Sequence, residues 1–488
     1  MDYITEAEKK IPIACDVDVV VAGGGVAGVF AAVAAARCGV RTLLVERFGS
    51  VGGNIGPGMI AGGHLVSGRA HERVSYECTV YPRLYGIGKE FVDRYATMGG
   101  RSIPPFIQPG GNNYAGDASI ASYVAQQMLE ESGVRLLLST AVGDPIMEGN
   151  RVQGLFVENK SGRQAVKAGV VIDATGDADV AKRAGAPMLY PKTAYHELDG
   201  HAPTGMGLQY WVGGIDWEGY EAAVKEGVSE GDRSWAEEEL GEGGGLKWGN
   251  LLPFVRKAHE KGDYVAGQKV ELDGKPVELT AGRIGSIGVP GLGHARVAPE
   301  RVEELDAGSG FHISALEAGM RALAFETWNL WKNYVPGFED SSLLFIAPFL
   351  GSRGGPCIEG DYTLTMEDCR AGKRFDDVIY VYGEFRALRY TASQGKPLWV
   401  DVPYRVMLPK GIEGLMAVGR SASGKPDTLL RNRMAVKVMG EAGGIAAALA
   451  VKKGIEPRAL DVKELQHGLL DAGFHLGDRK RLMELGLV

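Results

Sequence analysis

The spacing of apolar and polar positions changes several times along the chain, and each change predicts an element. Residues 16–22, Asp-Val-Asp-Val-Val-Val-Ala, are almost continuously apolar, as in a strand buried on both faces. Three glycines interrupt the run. Alanine-rich Val26–Arg37 comes next and predicts a helix, and Arg41–Val45 predicts a second strand. Gly49–Met59 holds too many glycines for either element and predicts a loop. Residues 117–132 regain a helical period, with Asp117 as cap and Ile120, Val124, Met128 and Leu129 on one face. Strands are then expected over Arg135–Val142, Val152–Val157 and Val170–Asp173, with turns at Gly149-Asn150 and Lys160–Gly162.

Farther on, Leu208–Val212 predicts a strand. Leu316, Leu323, Leu330 and Tyr334 predict a helix over 313–334, stopped by Pro336-Gly337. Gly414–Arg420 predicts a short strand ending in a glycine turn. Met434, Val438, Ile445 and Leu449 then mark a helix whose other side, Gly440, Gly443, Gly444, Ala447 and Ala448, suits close packing. The N-terminal style thus returns near the C-terminus, which predicts an α/β fold: a Rossmann-like dinucleotide-binding domain with a parallel sheet, and an inserted α+β substrate domain. The expected boundaries are 1–184 for the first part of the binding domain, 185–400 for the insert, 401–455 for the return segment and 456–488 for a helical tail. All seven tryptophans, Trp211 to Trp399, lie in the insert; they are read as its core.

The first strand runs into Gly23-x-Gly25-x-x-Gly28, and the second ends at Glu46. Gly23 permits a tight turn, Gly25 lets the backbone approach a diphosphate, and Gly28 lets helix and strand close up. The helix start at Val26 and Ala27 offers free N–H groups to phosphate. Glu46 is placed to accept from ribose hydroxyls and to repel the extra phosphate of NADP. The fingerprint alone does not separate NAD from FAD.

Composition narrows the function class. Glycine is 72 of 488 residues, roughly twice average usage, and is not periodic. The net charge of −8 without a basic run argues against nucleic acid or an anionic membrane as partner. No stretch reads as a membrane span, and the acidic N-terminus does not read as a signal peptide. The five cysteines are scattered and form no C-x-x-C, which predicts a reducing cytoplasm and no disulfide, zinc or Fe–S framework.

Several segments together resemble the FAD-dependent oxidoreductase family, with the glutathione-reductase-type flavin fold. They are the fingerprint with Glu46-Arg47, the Gly52-Gly53 loop, Val171–Val180 (Val-Ile-Asp-Ala-Thr-Gly-Asp-Ala-Asp-Val), Ile358–Thr365, Val402–Arg405, and Gly414–Arg420 with the helix carrying Gly440–Gly444. The resemblance implies FAD. It implies that Gly52, Gly53 and Asn54 present backbone to the cofactor and that Val142 meets the adenine through its backbone. Ala174, Thr175 and Gly176 would pass the ADP part, and Gly419 and Arg420 would sit by the diphosphate and ribityl chain. A helix starting near Asn432 and Met434 would aim its N-terminus at the flavin pyrimidine edge, where reduced flavin gathers negative charge.

There is no second G-x-G-x-x-G after a strand, so no separate NAD(P)H domain is expected. The candidate catalytic groups are His64, after the flavin loop, as general base or covalent flavin attachment, and Arg353, flanked by glycines, as anchor for an anionic substrate. Each has a bland alternative: a hydrogen-bonded surface histidine, and a structural ion pair. Tyr404 and Arg405 either face substrate or pack domains together. The expected activity is hydride transfer between flavin N5 and a small polar or anionic organic molecule. A flavin monooxygenase and a non-catalytic electron-transfer or scaffold subunit are the alternatives. Electron partner and oligomeric state stay open.

Overall fold

The apolar run forms strand β1, Ile13–Ala22. Val19 and Val21 face one hydrophobic cluster, and Val17, Val20 and Ala22 face another. Burial on both faces explains why the run does not alternate. The computed structural model describes residues 3–59, 86–98, 118–190, 207–241, 248–264, 267–280, 295–297, 308–351, 355–382, 400–425, 429–430 and 433–488.

Beside β1 lie β2 (Thr42–Val45), β3 (Arg135–Leu137), β4 (Ala141–Glu148), β5 (Arg151–Asn159), β6 (Gly162–Asp173) and β7 (Leu415–Ala417). They form one seven-stranded sheet in the order β3-β2-β1-β6-β5-β4, with β7 also paired to β6. β3, β2, β1, β6 and β7 run parallel, so their carboxyl ends share one edge. β4 and β5 form an antiparallel hairpin against β6. Open parallel sheets bind their ligands at the carboxyl edge.

One face of the sheet carries α1 (Val26–Arg37), α2 (Gly86–Thr97) and α3 (Ala118–Glu131). The short α4 (Asp179–Arg183) comes directly after β6, and α5 (Gly310–Tyr334) lies in the middle of the chain. The long α6 (Arg433–Lys453) returns to lie on α1. Its small face makes that possible. A Cβ on Gly440 would stand 2.3 Å from the Ala27 carbonyl oxygen, and one on Gly444 2.2 Å from that of Ala31. Only glycine permits this approach.

Residues from Leu208 to Leu350 gather a separate core. A small antiparallel sheet, in the order Ala295–Val297, Tyr210–Gly213, Ser342–Ile346, packs with α5 around Tyr210, Trp331 and Phe338. Leu364, Phe375 and Val381 join the first core instead, as do Leu465 and Leu469 of the final segment.

Two expectations about elements change. The single strand expected over Arg135–Val142 is two strands. Ser139, at φ 49°, turns the chain between β3 and β4. The bend leaves no amide stranded, because Ser139 N–H donates to Phe48 O and Thr140 N–H to Glu46 O. The loop expected over Gly49–Met59 contains a 3-10 turn, Gly53–Ile55, entered through Gly52 at φ 106°. Glycine there admits a left-handed backbone that any Cβ would resist.

Candidate dinucleotide site at the carboxyl edge of the sheet

The fingerprint sits at the end of β1. Gly23 takes φ 100°, and its N–H donates to Val45 O at 2.8 Å. A Cβ on Gly28 would fall 1.8 Å from Gly23 O, so turn and helix touch backbone to backbone. Gly25 caps α1 with no side-chain bond, and among the described residues nothing lies within 4 Å of where its Cβ would stand. The start of α1 thus presents orphan N–H groups and the positive end of the helix dipole on the side of Gly25 that no described residue covers. A helix start of this kind could hold a diphosphate.

The Gly52–Asn54 turn closes one side. Gly52 N–H donates to Gly24 O at 2.8 Å, and a Cβ on Gly53 would stand 2.8 Å from Gly25 Cα. Glu46 ends β2, 6% exposed. Its carboxylate accepts from Gly24 N–H at 2.7 Å and Phe48 N–H at 3.0 Å. Burial pushes its pKa up, against the pull of those two donors and of Arg47. Each oxygen keeps a lone pair for a further donor. Glu46 thus also braces the glycine turn, a role the strand-end position did not reveal. Arg47 is exposed, its guanidinium 4.7 Å from the Phe48 ring centroid. Phe48 stacks on Phe349 at 4.5 Å, which ties the segment between Ala347 and Leu350 to the chain just after β2.

After β6 the chain turns through Ala174, Thr175 and Gly176. Asp173 holds this turn from inside. Its carboxylate accepts from Thr175 N–H, Thr175 Oγ1 and, at 2.9 Å, Ala181 N–H. Burial pushes its pKa up to about 6. Arg420 pairs with Asp177 at 2.8 Å, and Ser421 Oγ accepts from Gly176 N–H and Ala178 N–H at 3.1 Å each. Gly419, at φ 69°, sits against Ala27. Arg183 Nη1 donates to the Val142 carbonyl at 2.7 Å.

The structure therefore brings Gly23, Gly25, Val26, Ala27, Gly28, Glu46, Gly52, Gly53, Ala174, Thr175, Gly176, Gly419 and Arg420 to one sheet edge. Val142 stands in β4, and the backbone of Met434 lies in the first turn of α6. His64, Arg353 and Asn432 lie outside the described residues. Tyr404 and Arg405 form a 3-10 turn rather than a strand. Tyr404 is buried with its hydroxyl on Pro457 O at 2.9 Å, and Arg405 grips Asp377 through two nitrogens. Both serve packing. The chain pattern missed Asp173, Arg183, Phe349 and Ser421. Only Asp173 carried a signal, as an acid closing a fully apolar strand.

Sequence comparison matches residues 18–469 to the family described as FAD dependent oxidoreductase. Among solved structures, the chain is similar to a geranylgeranyl bacteriochlorophyll reductase-like protein from Thermoplasma acidophilum. The two share 15% identity over 97% of this chain and 88% of that one, with a TM-score of 0.42. It is also similar to p-nitrophenol 4-monooxygenase from Pseudomonas putida, at 13% identity over 96% and 92% of the two chains and a TM-score of 0.39. A flavoprotein/dehydrogenase from Cytophaga hutchinsonii matches at 13% identity over 93% and 83%, with a TM-score of 0.39.

Proposed function

The chain belongs to the FAD-dependent oxidoreductase family, and from that premise we propose that it passes hydride between flavin N5 and a small polar or anionic organic substrate. FAD is its cofactor, and the residues present fit it. The open space beside Gly25 and the uncapped start of α1 suit the diphosphate, and Glu46 has lone pairs left for the ribose. FAD, when bound, supplies an electron-pair acceptor that the side chains themselves lack. We assign Gly23 to Gly28, Glu46 and Gly52 to Asn54 to the ADP half. Val142 meets the adenine through its backbone, the 174–176 turn passes the ADP part, and the 419–420 turn sits by the diphosphate and ribityl chain. The N-terminus of α6 faces the flavin ring. The region from Leu208 to Leu350, in the 185–400 segment, forms the substrate side. The return segment 401–455 completes the FAD domain.

The observation that carries the proposal is the cradle at the sheet edge, in a chain with one dinucleotide fingerprint and no C-x-x-C for thiol relay. Among the described residues no helix is long and apolar enough to cross a membrane. The four described cysteines are free, and a reducing cytoplasm is the proposed setting. His64 is proposed to take the proton as hydride leaves, and Arg353 to hold the anionic group.

The test is anaerobic bleaching of the bound flavin by a panel of small hydroxy, amino and carboxylic acids. Bleaching by one of them is the expected result. Then His64→Ala slows reduction by about 10²–10⁴-fold, and Arg353→Met raises KM with FAD content unchanged. Rapid reduction by NAD(P)H with substrate-coupled oxygen uptake overturns the proposal in favour of a monooxygenase.

A further inference from the structure

β6 and β7 are parallel neighbours, with Ala417 in register with Asp173. Both end at the cofactor edge, so the turns after them lie side by side. Three contacts join the turns: Ser421 Oγ to Gly176 N–H and to Ala178 N–H, and Arg420 Nη1 to Asp177 Oδ1 at 2.8 Å. The paired side chains are 12% and 20% exposed, largely out of water. Removing one partner there deletes a charged hydrogen bond from a poorly hydrated site, which costs more than loss of a surface pair.

The position of the turn gives the contacts their consequence. Gly419 is wedged between two helix starts. A Cβ on it would stand 2.9 Å from Ala27 Cβ in the first turn of α1, and 3.4 Å from Val436 Cγ1 in the first turn of α6. Arg420 in turn lies over Gly176, at φ 89°, its Nη2 3.2 Å from where a Cβ would be. Any shift of the 419–421 turn therefore pushes on both helix N-termini that face the cofactor.

We propose that Asp177, Arg420 and Ser421 form a latch that sets the spacing of the two helix N-termini, so that Arg420 acts on FAD through Asp177 as a positioning residue. This rests on the FAD assignment above. A direct phosphate ligand behaves differently. Freeing such an arginine from its carboxylate strengthens its hold on a diphosphate, whereas freeing a latch loosens the site. Asp177→Asn therefore separates the two by sign.

The experiment titrates FAD into apoprotein and tracks flavin fluorescence. It uses wild type, Asp177→Asn, Arg420→Gln, the double variant, Arg420→Lys and Ser421→Ala, with apoprotein Tm measured alongside. Asp177→Asn and Arg420→Gln are each expected to weaken FAD binding about tenfold or more, the order of a lost charged hydrogen bond. The double variant is expected to be no weaker than the worse single one, as for two residues acting as a unit. Arg420→Lys, which keeps a cation for Asp177, recovers most of the loss. Ser421→Ala changes no charge and still weakens binding. Tighter or unchanged binding in Asp177→Asn, or unchanged binding in Ser421→Ala, overturns the latch. So does a change in affinity that merely tracks apoprotein Tm. If Asp177→Asn or Arg420→Gln fails to fold, Ser421→Ala and Arg420→Lys decide alone. A wild type that takes up no FAD removes the cofactor assignment and the latch together; a wild type that binds FAD beside unaffected variants removes the latch only.

Discussion

The sheet edge and the Leu208–Leu350 core reach density by opposite means. At the edge, backbone meets backbone: Gly28 against Gly23, Gly440 against Ala27, Gly444 against Ala31. In the second core, large rings fill the space, with Trp331 centred 6.1 Å from Tyr210 and 5.7 Å from Phe338. A glycine contact admits one residue type. A ring contact admits any side chain of similar volume. The first kind of packing therefore writes itself into the sequence as spacing, while the second leaves only a composition.

The sharpest way to break this comparison is Gly28→Val. The added carbons have no room beside Gly23 O, so soluble, flavin-containing protein is expected to be lost altogether, as read by yield and by visible absorbance. Retention of FAD by that variant would mean that the turn can relax and that glycine is not required. Next in size is Trp331→Ala, expected to cost about 3–5 kcal/mol in the second core. Trp331 belongs to that core alone. Denaturation should show the loss in tryptophan fluorescence first, with FAD release coming later. Simultaneous loss of both signals would show that the two cores unfold as one unit.

The smallest effect concerns charge hidden in the first core. Glu441, 2% exposed, accepts from Ile87 N–H at the start of α2, near Arg37 and Glu90. Burial pushes its pKa up to about 7, as it pushes Asp173 to about 6. Both folded values exceed the unfolded ones. Their contributions are therefore fully present below the unfolded pKa values, about 4, and are lost progressively as pH rises from there through about 6 to 7. Tm is expected to fall over that window. Glu441→Gln keeps an oxygen for Ile87 N–H and cannot ionise. It should match wild type near pH 5 and melt higher than wild type at pH 8.

Legibility divided along the same line. The cradle was readable because Gly23, Gly25, Gly28 and Glu46 each answer a backbone demand at a fixed spacing. The small face of α6 was readable for the same reason, and so was β7, an apolar run ending in a glycine turn. The bend at Ser139 was not, since serine there marks no turn in the pattern, and its φ of 49° is accommodated by carbonyl acceptors on Phe48 and Glu46, just after β2, for the amides of Ser139 and Thr140. Ser421 as the acceptor for Gly176 and Ala178, and Asp177 as the partner of Arg420, were unreadable because strand pairing, not chain proximity, joins their turns. For Tyr404 and Arg405 the sequence left facing substrate and packing domains both open, for a related reason. Their partners, Pro457 and Asp377, are distant in the chain, and a polar pair before an apolar strand looks the same whether it holds a ligand or another segment.

The pairing of β7 with β6 also sets a schedule. Asp173 leaves the ribosome about 240 residues before Leu415, an interval of roughly 12–50 seconds at ordinary synthesis rates of about 5–20 residues per second. Throughout that time the nascent β6 shows an unpaired edge along Val171 and Ile172, and α1 shows the bare alanine surface that α6 will later cover. The cofactor cradle cannot be completed early, however well its first segment is formed. Newborn chains must therefore be shielded while they wait, and truncation anywhere before residue 415 yields a sticky fragment rather than a smaller flavoprotein.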